Sequence, residues 1–358
     1  MSRYLNANYQ SLRPYTPGEQ GVQGIRIKLN TNEAPFAPSL HVQQAVAKAA
    51  AQLQRYSDPE GKRLRLALAK RYGITPEQIM LGNGSDELLF LAFLAFCSAE
   101  SGVACPAVSY GFYPVYAQMA GAPYHGIALT SDLQINGKDF CSLNQPIVLA
   151  NPNAPTGTLL SVEEIERILQ TNPNHVVLVD EAYVDFGGES CVPLLERYDN
   201  LLILQTFSKS RCLAGGRLGF AMGGAGLIAD LQRLRYSLNP YNVNSMTLAA
   251  AEAALDEENL FQERCSEIIR VREWIQTQLL DLDFRVIPSK GNFVFVSPPG
   301  GDAADYATYL KSNGVLIRYF SLDPISEFVR ISIGNQEEME ILLALTAERY
   351  PKMREEKS

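Results

Sequence analysis

From about residue 75 to 240 the chain repeats one pattern: a short continuous apolar run, a polar or glycine-rich turn, then apolar positions at helical spacing. "IMLGNGSDELLFLAFLAF" is one copy and "PIVLANPNAPTGTLLSVEEIERIL" another. In the second, Ser161 and Glu164 form an S-x-x-E capping box, and Ile165, Ile168 and Leu169 make the apolar stripe of the helix that follows. "HVVLVDEAYVDF" and "NLLILQTFSKS" supply two more strands with their following loops. Unbroken Val/Ile/Leu runs, rather than alternating ones, predict strands covered on both faces and hence a largely parallel sheet flanked by helices.

Past about residue 250 the pattern changes. "NLFQERCSEIIRVREWIQTQLL" predicts a long amphipathic helix, and "FRVI", "NFVFVSP", "GVLIRYF" and "FVRISIG" predict short strands. Helical patterns at 303–311 and 336–348 interrupt and end them. The expected division is an N-terminal arm over 1–31 with little core of its own, a large α/β domain over 32–255, and a smaller α+β domain over 256–358. A chain of 358 residues accommodates two domains comfortably.

Composition narrows the function classes. A net charge of −8 argues against a nucleic-acid partner, which needs a basic face. The polar N-terminus lacks the apolar core of a signal peptide, and the longest apolar run, "LLFLAFLAFC", is too short to span a bilayer. A cytoplasmic protein without membrane partners is expected. Six scattered cysteines without CxxC pairing point to buried free thiols, and three separated histidines argue against a zinc site or a Ser-His-Asp triad. No metal is expected.

In an open α/β sheet, ligands bind at the carboxyl ends of the strands, and each run here delivers something polar at that end. After "IML" come Gly82, Asn83, Gly84, Ser85 and Asp86, a turn opening a helix, suited to holding an anion on backbone N–H groups. Taken alone it is equally a tight turn with an N-cap. After "HVVLV" comes Asp180, with Tyr183 three residues on; by itself this is an N-cap or an ion pair. After "LLILQ" come Thr206, Ser208 and Lys209, with Arg217 eight residues beyond the lysine. A lone lysine reads as a solvated surface group. Together, a strand-end acid, a phenol, a lysine and two phosphate-type clusters describe a ligand with a phosphate, an aldehyde and a ring nitrogen. That ligand is pyridoxal 5′-phosphate (PLP).

The order and spacing of these residues also resemble a known family. Asn151 to Gly157 ("NPNAPTG"), Asp180 to Tyr183 ("DEAY") and Ser208-Lys209 with Arg217 resemble the fold-type-I PLP-dependent transferases, class II aminotransferases among them. "RPYTPGEQ", "KLNTNEAPF", "RYSDPEG", "GNGSDE", "CPAVSYGFY" and "GVLIRYF" extend the likeness nearly end to end, most closely toward histidinol-phosphate aminotransferases. The resemblance implies that Lys209 holds the cofactor covalently, Asp180 keeps the ring nitrogen protonated and Tyr183 bonds the ring oxygen. It implies that Tyr110 stacks on the ring, and that Gly84, Ser85, Asp86, Thr206, Ser208 and Arg217 cradle the phosphate. Tyr56 would reach the site of a partner subunit, implying a homodimer. Arg330, Arg318, Tyr15 and Asn32 would contact substrate, the arginines through its anionic groups. The family's usual Asn before Pro-Thr-Gly is Ala154 here, so either Asn153 takes over its bond to the ring oxygen or Tyr183 acts with less help.

The implied reaction is transfer of an amino group from L-histidinol phosphate to 2-oxoglutarate, a small-molecule amino donor and a 2-oxo acid being the partners. An aromatic amino acid aminotransferase would need Arg330 but not Arg318. A threonine-phosphate decarboxylase shares the chain plan. A PLP-binding DNA regulator would need a basic N-terminal region that this chain lacks. For Arg318 and Arg330 without the resemblance, strand-borne surface ion pairs are the simpler reading.

Overall fold

The computed structural model describes residues 2–351. The arm ends in a short strand, β1 (Ile27–Lys28), and then come helices α1 (Leu40–Ala50) and α2 (Lys62–Tyr72). The central sheet contains β2 (Ile79–Gly82), β3 (Val103–Pro106), β4 (Tyr124–Ile127), β5 (Ile147–Ala150), β6 (Val177–Asp180), β7 (Leu201–Thr206) and β8 (Gly219–Gly223). Helices α3 (Gly84–Phe96), α4 (Tyr113–Met119) and α5 (Val162–Thr171) run between its strands. Then follow α6 (Ala225–Leu238), α7 (Ser245–Leu255) and the long α8 (Glu258–Leu280).

The sheet order is β2-β8-β7-β6-β5-β3-β4, parallel except for β8, which runs against both its neighbours. The unbroken apolar runs arise because both faces are covered. Ile147, Leu149, Val177, Val179, Leu201 and Ile203 pack into a core with α2, α5 and α7. Their alternates Val148, Leu178, Leu202 and Leu204 pack with α3, α4 and α6. Each such side chain contributes roughly 1.5–3 kcal/mol on burial. The Ser161–Glu164 capping box opens α5, whose buried stripe is Ile165, Ile168 and Leu169.

Beyond α8 a second sheet forms from β9 (Arg285–Ile287), β10 (Phe293–Ser297), β12 (Arg318–Tyr319) and β13 (Val329–Ser332), in the order β12-β13-β10-β9. Helices α9 (Ala303–Ser312) and α10 (Gln336–Arg349) cover it. The run "GVLIRYF" does not stay one strand. Its first part, β11 (Val315–Leu316), pairs in parallel with β1, and β12 pairs with β13. The chain end of the arm is also less detached than its polar sequence suggests. Ile27 and Leu29 are buried in the C-terminal core, because β11 offers β1 a backbone to pair with.

Candidate active site

Strands β2, β5, β6 and β7 end on the same edge of the large sheet. Register aligns Ala150 with Asp180, and Gly219 with both Gly82 and Thr206. The loops leaving that edge enclose a cavity of about 170 Å³. Its walls carry Ser85, Asp86, Tyr110, Asp180, Tyr183, Thr206, Ser208, Lys209 and Arg217, residues that the sequence scatters over more than 130 positions. Ala150, Ala154 and Ala182 complete the lining.

Asp180 ends β6 and is buried. Tyr113 Oη donates to its Oδ2 at 3.1 Å, and the Ala182 N–H donates to Oδ1 at 3.2 Å. Burial raises its pKa to about 6; the two donors and Lys209 pull it down only in part, and Asp86 adds to the rise. Such a carboxyl favours a cation against it. Tyr113 was not singled out from the sequence. It stands at the first position of α4, and only the tertiary fold puts its hydroxyl on Asp180.

Lys209 follows β7 by three residues. Its Nζ donates to the Thr31 carbonyl at 3.3 Å and lies 5.7 Å from the Tyr183 ring centre. Tyr183 in turn accepts from Asn32 Nδ2 at 2.9 Å. Thr31 and Asn32, where the arm meets the large domain, therefore touch the lysine and the phenol respectively.

At the other end of the cavity, α3 begins without a side-chain cap from Asn83. Gly84 has φ +79°, and a Cβ there would stand 2.5 Å from Arg217 Nη2. A Cβ on Gly219 would meet the Ser85 N at 2.5 Å. Two glycines thus let the guanidinium and the first turn of α3 close on the same space. This arrangement fits an anion, drawn by the helix dipole and by Arg217. Asp86 uses its carboxylate elsewhere: Arg217 donates to one oxygen at 2.9 Å and Tyr110 Oη to the other at 2.7 Å. Thr206 Oγ1 donates to the Leu218 carbonyl at 3.2 Å and accepts the Ser208 N–H at 3.1 Å. Its proton is committed to the loop, so Thr206 shapes the cradle rather than donating into it.

Asn153 and Tyr56, both expected to contact the cofactor, do not line this cavity. Asn153 is fully buried behind the wall; its Nδ2 donates to Val108 O and Thr156 Oγ1, and its Oδ1 accepts from Ser109. Ala154 is the residue that faces the cavity from this loop. Of the two alternatives, Asn153 as the replacement donor finds no support in the geometry. Tyr56 lies outside, 82% exposed, stacked on Tyr241 with ring centres 4.4 Å apart.

A second cavity of about 510 Å³ adjoins the first, with Tyr110 and Ala154 in both walls. Tyr15, Arg318 and Arg330 line it, with Arg13, which the sequence reading passed over. Tyr15 stacks on Phe112 at 4.2 Å. Arg318 faces Arg330 directly across the β12–β13 ladder. Arg318 donates to the carbonyls of Thr16 and Pro17, and Arg330 to that of Asn30. Among the described residues neither has a carboxylate within ion-pair reach, and the buried Nε of Arg330 has no partner. Burial lowers the Arg330 pKa and Arg318 adds to the fall, while Tyr183 and Tyr15 oppose it. Asn32 is buried beside this region rather than lining either cavity. A third cavity, about 760 Å³, lies between α1, α7 and the 212–216 loop and shares only Ser208 with the residues discussed.

Residues 25–345 match the family described as aminotransferase class I and II. The chain is 43% identical to "histidinol-phosphate aminotransferase 2" of Dechloromonas aromatica (strain RCB), over 96% of this chain and 98% of that protein. It is 44% identical to a histidinol-phosphate aminotransferase of Clostridium botulinum (strain Kyoto / Type A2), over 96% and 97% respectively. The crystal structure of histidinol-phosphate aminotransferase from Sinorhizobium meliloti in complex with pyridoxal-5′-phosphate superposes with a TM-score of 0.82 at 27% identity, covering 90% of each chain. The architecture is that of the fold-type-I PLP-dependent enzymes, and the chain belongs to the class I and II aminotransferases.

Proposed function

We propose that this protein is a PLP-dependent transaminase that exchanges L-histidinol phosphate and 2-oxoglutarate for imidazole-acetol phosphate and glutamate. The observation that carries the phosphorylated substrate is the pair Arg318 and Arg330, opposed on neighbouring strands with no carboxylate in ion-pair reach of either among the described residues. Like charges placed directly across a ladder destabilise it, so the pair is best explained by an anion that both bind. The relatives named for this activity support the same substrate.

Bound PLP supplies an aldehyde for the amine and a ring that accepts the electron pair left at the substrate carbon. The chain's residues divide the remaining work. Lys209 Nζ holds the cofactor between turnovers and, once displaced, takes the Cα proton and returns it. Asp180, ionised against a cationic ring nitrogen, keeps that nitrogen protonated, and Tyr113 fixes its carboxylate. Arg217, Ser208 and the first-turn amides at Gly84, Ser85 and Asp86 hold the phosphate. Tyr183 would donate to the ring oxygen, and Tyr110, which lines both cavities, would cover the ring. Arg330 alternately binds the carboxylate of the amino acid partner and, with Arg318 and Tyr15, the phosphate of histidinol phosphate.

The same reading makes the enzyme a cytoplasmic homodimer. The exposed Tyr56, turned away from the cavity of its own chain, supports a role in the partner's site. Domains over 32–255 and 256–358 are supported by the seven-stranded sheet falling within the first and the four-stranded sheet within the second, while the two-stranded β1–β11 sheet ties the arm over 1–31 to the C-terminal unit. The test is the near-visible absorbance of the PLP-loaded protein as amines are added. Bleaching by L-histidinol phosphate at concentrations where phenylalanine and tyrosine have no effect is expected. Bleaching by the aromatic amino acids alone overturns the assignment, as does release of carbon dioxide from a phosphorylated amino acid.

A further inference from the structure

Ala154 offers the cavity no polar group, and Asn153 is turned away from it. On that side the hydroxyl of Tyr183 has to serve without a neighbour on the 151–157 loop. A phenol has one proton and can point it into the cavity or away from it. What surrounds Tyr183 decides which.

The decision is traceable atom by atom. Asn32 is 1% exposed and has φ +55°, a left-handed conformation that asparagine tolerates better than most residues. Its backbone N–H donates to Ser332 Oγ at 2.8 Å. Ser332, itself 2% exposed, lies 3.0 Å from the Asn32 side chain. A buried hydroxyl that already accepts one bond must still place its proton, and the acceptor in reach is Asn32 Oδ1. That fixes the amide: Oδ1 faces Ser332, and Nδ2 is left to donate to Tyr183 Oη at 2.9 Å. The Asn292 amide, donating to the Asn32 carbonyl at 3.0 Å, holds the segment from the other side. With Asn32 donating to its oxygen, Tyr183 must send its proton elsewhere, and the cavity containing Lys209 is the open direction.

We infer that Asn32 and Ser332 act as positioning residues that orient the Tyr183 hydroxyl as a donor into the cofactor cavity, a task that the 151–157 loop does not share in this chain. The inference rests on the PLP reading above. Asn32 binds no substrate in this role. The charged groups facing Tyr183 are Lys209, 5.7 Å from the ring centre, and Arg330, which interacts with it electrostatically. Neither accepts a proton from the phenol while protonated.

A donor held on the ring oxygen of PLP competes with the proton shared between that oxygen and the lysine nitrogen. It therefore lowers the pH at which that proton leaves, which is visible as the midpoint of the near-visible band against pH. The measurement is this midpoint, with the PLP dissociation constant, in holoprotein of wild type, Asn32→Ala, Ser332→Ala, Tyr183→Phe and the Asn32→Ala/Tyr183→Phe double variant. Tyr183→Phe is expected to raise the midpoint most. Asn32→Ala and Ser332→Ala are expected to raise it by about half to one unit, the equivalent of one oriented hydrogen bond. In the Tyr183→Phe background, Asn32→Ala should add nothing. An unmoved midpoint in folded Ser332→Ala, or an additive shift in the double variant, overturns the inference. Failure of wild type to form the band with PLP would instead overturn the cofactor reading, so the two failures are distinguishable.

Discussion

Arg318 and Arg330 stand opposite each other on β12 and β13, two cations on one face of a narrow ladder, with the arm's backbone carbonyls at Thr16, Pro17 and Asn30 as their partners. A fold that only needed stability would place a carboxylate or an apolar side chain at one of these positions. Arg330 is half-buried, and its Nε is shut off from solvent without a partner, a cost that a bound anion removes.

Arg318→Gln should raise the KM for histidinol phosphate roughly 10–100-fold, the worth of a charge-assisted hydrogen bond, while leaving the glutamate half-reaction near wild type. Arg330→Gln should damage both half-reactions. Single-turnover kinetics of each half, run separately, decide this. With the cofactor cradle filled by PLP, inorganic phosphate should raise the melting temperature of wild type more than that of Arg318→Gln.

Lys209→Ala should abolish the near-visible band and reduce transamination by at least about 10³-fold, since in the proposed mechanism one group supplies both the covalent link and the proton transfer. An added small amine should restore part of the proton transfer. The readouts are absorbance and steady-state rate.

The Asp180 carboxyl is raised by burial from 3.8 to about 6. Its affinity for a proton is thus greater in the folded than in the unfolded chain, and its contribution to stability is full below pH 3.8 and lost as the pH rises to about 6. In protein stripped of cofactor, the unfolding free energy of wild type minus that of Asp180→Asn should fall by up to about 3 kcal/mol between pH 4 and 7. Denaturant titrations at stepped pH measure the difference. PLP should flatten the slope, because its cationic nitrogen favours ionised Asp180. Glu181, which accepts from Ser190, Gln205 and the Cys191 N–H, is likewise raised by burial, to about 7, and is present in both proteins, so it cancels.

Gly84→Ala puts a side chain at φ +79° and into contact with Arg217. A loss of about 1–3 kcal/mol in stability is expected, together with weaker PLP binding from displacement of the guanidinium. Thermal melting and equilibrium dialysis test the two parts separately. A variant that melts earlier but binds PLP like wild type would exclude Gly84 from the cradle.

The sequence by itself determined the sheet, because runs such as Val177–Asp180 and Leu201–Thr206 have no polar face and must be covered on both sides. It also placed Asp180, Lys209 and the Gly84 turn at strand ends, since the carboxyl edge of a parallel sheet follows from strand direction alone. The tertiary structure decided what those residues meet. Nothing local in "NPNAPTG" says that Asn153 turns inward and Ala154 faces the cavity; that depends on how the loop packs on Val108 and Ser109. Tyr113 reaches Asp180 across 67 positions, and Asn32 reaches Ser332 across 300. The opposition of Arg318 and Arg330 follows from a register set only when the run 314–320 divides its two strands between β1 and β13. Hydrophobic periodicity is a property of neighbouring residues, whereas donor-acceptor pairing between distant ones is fixed only when the sheets and the arm close on each other.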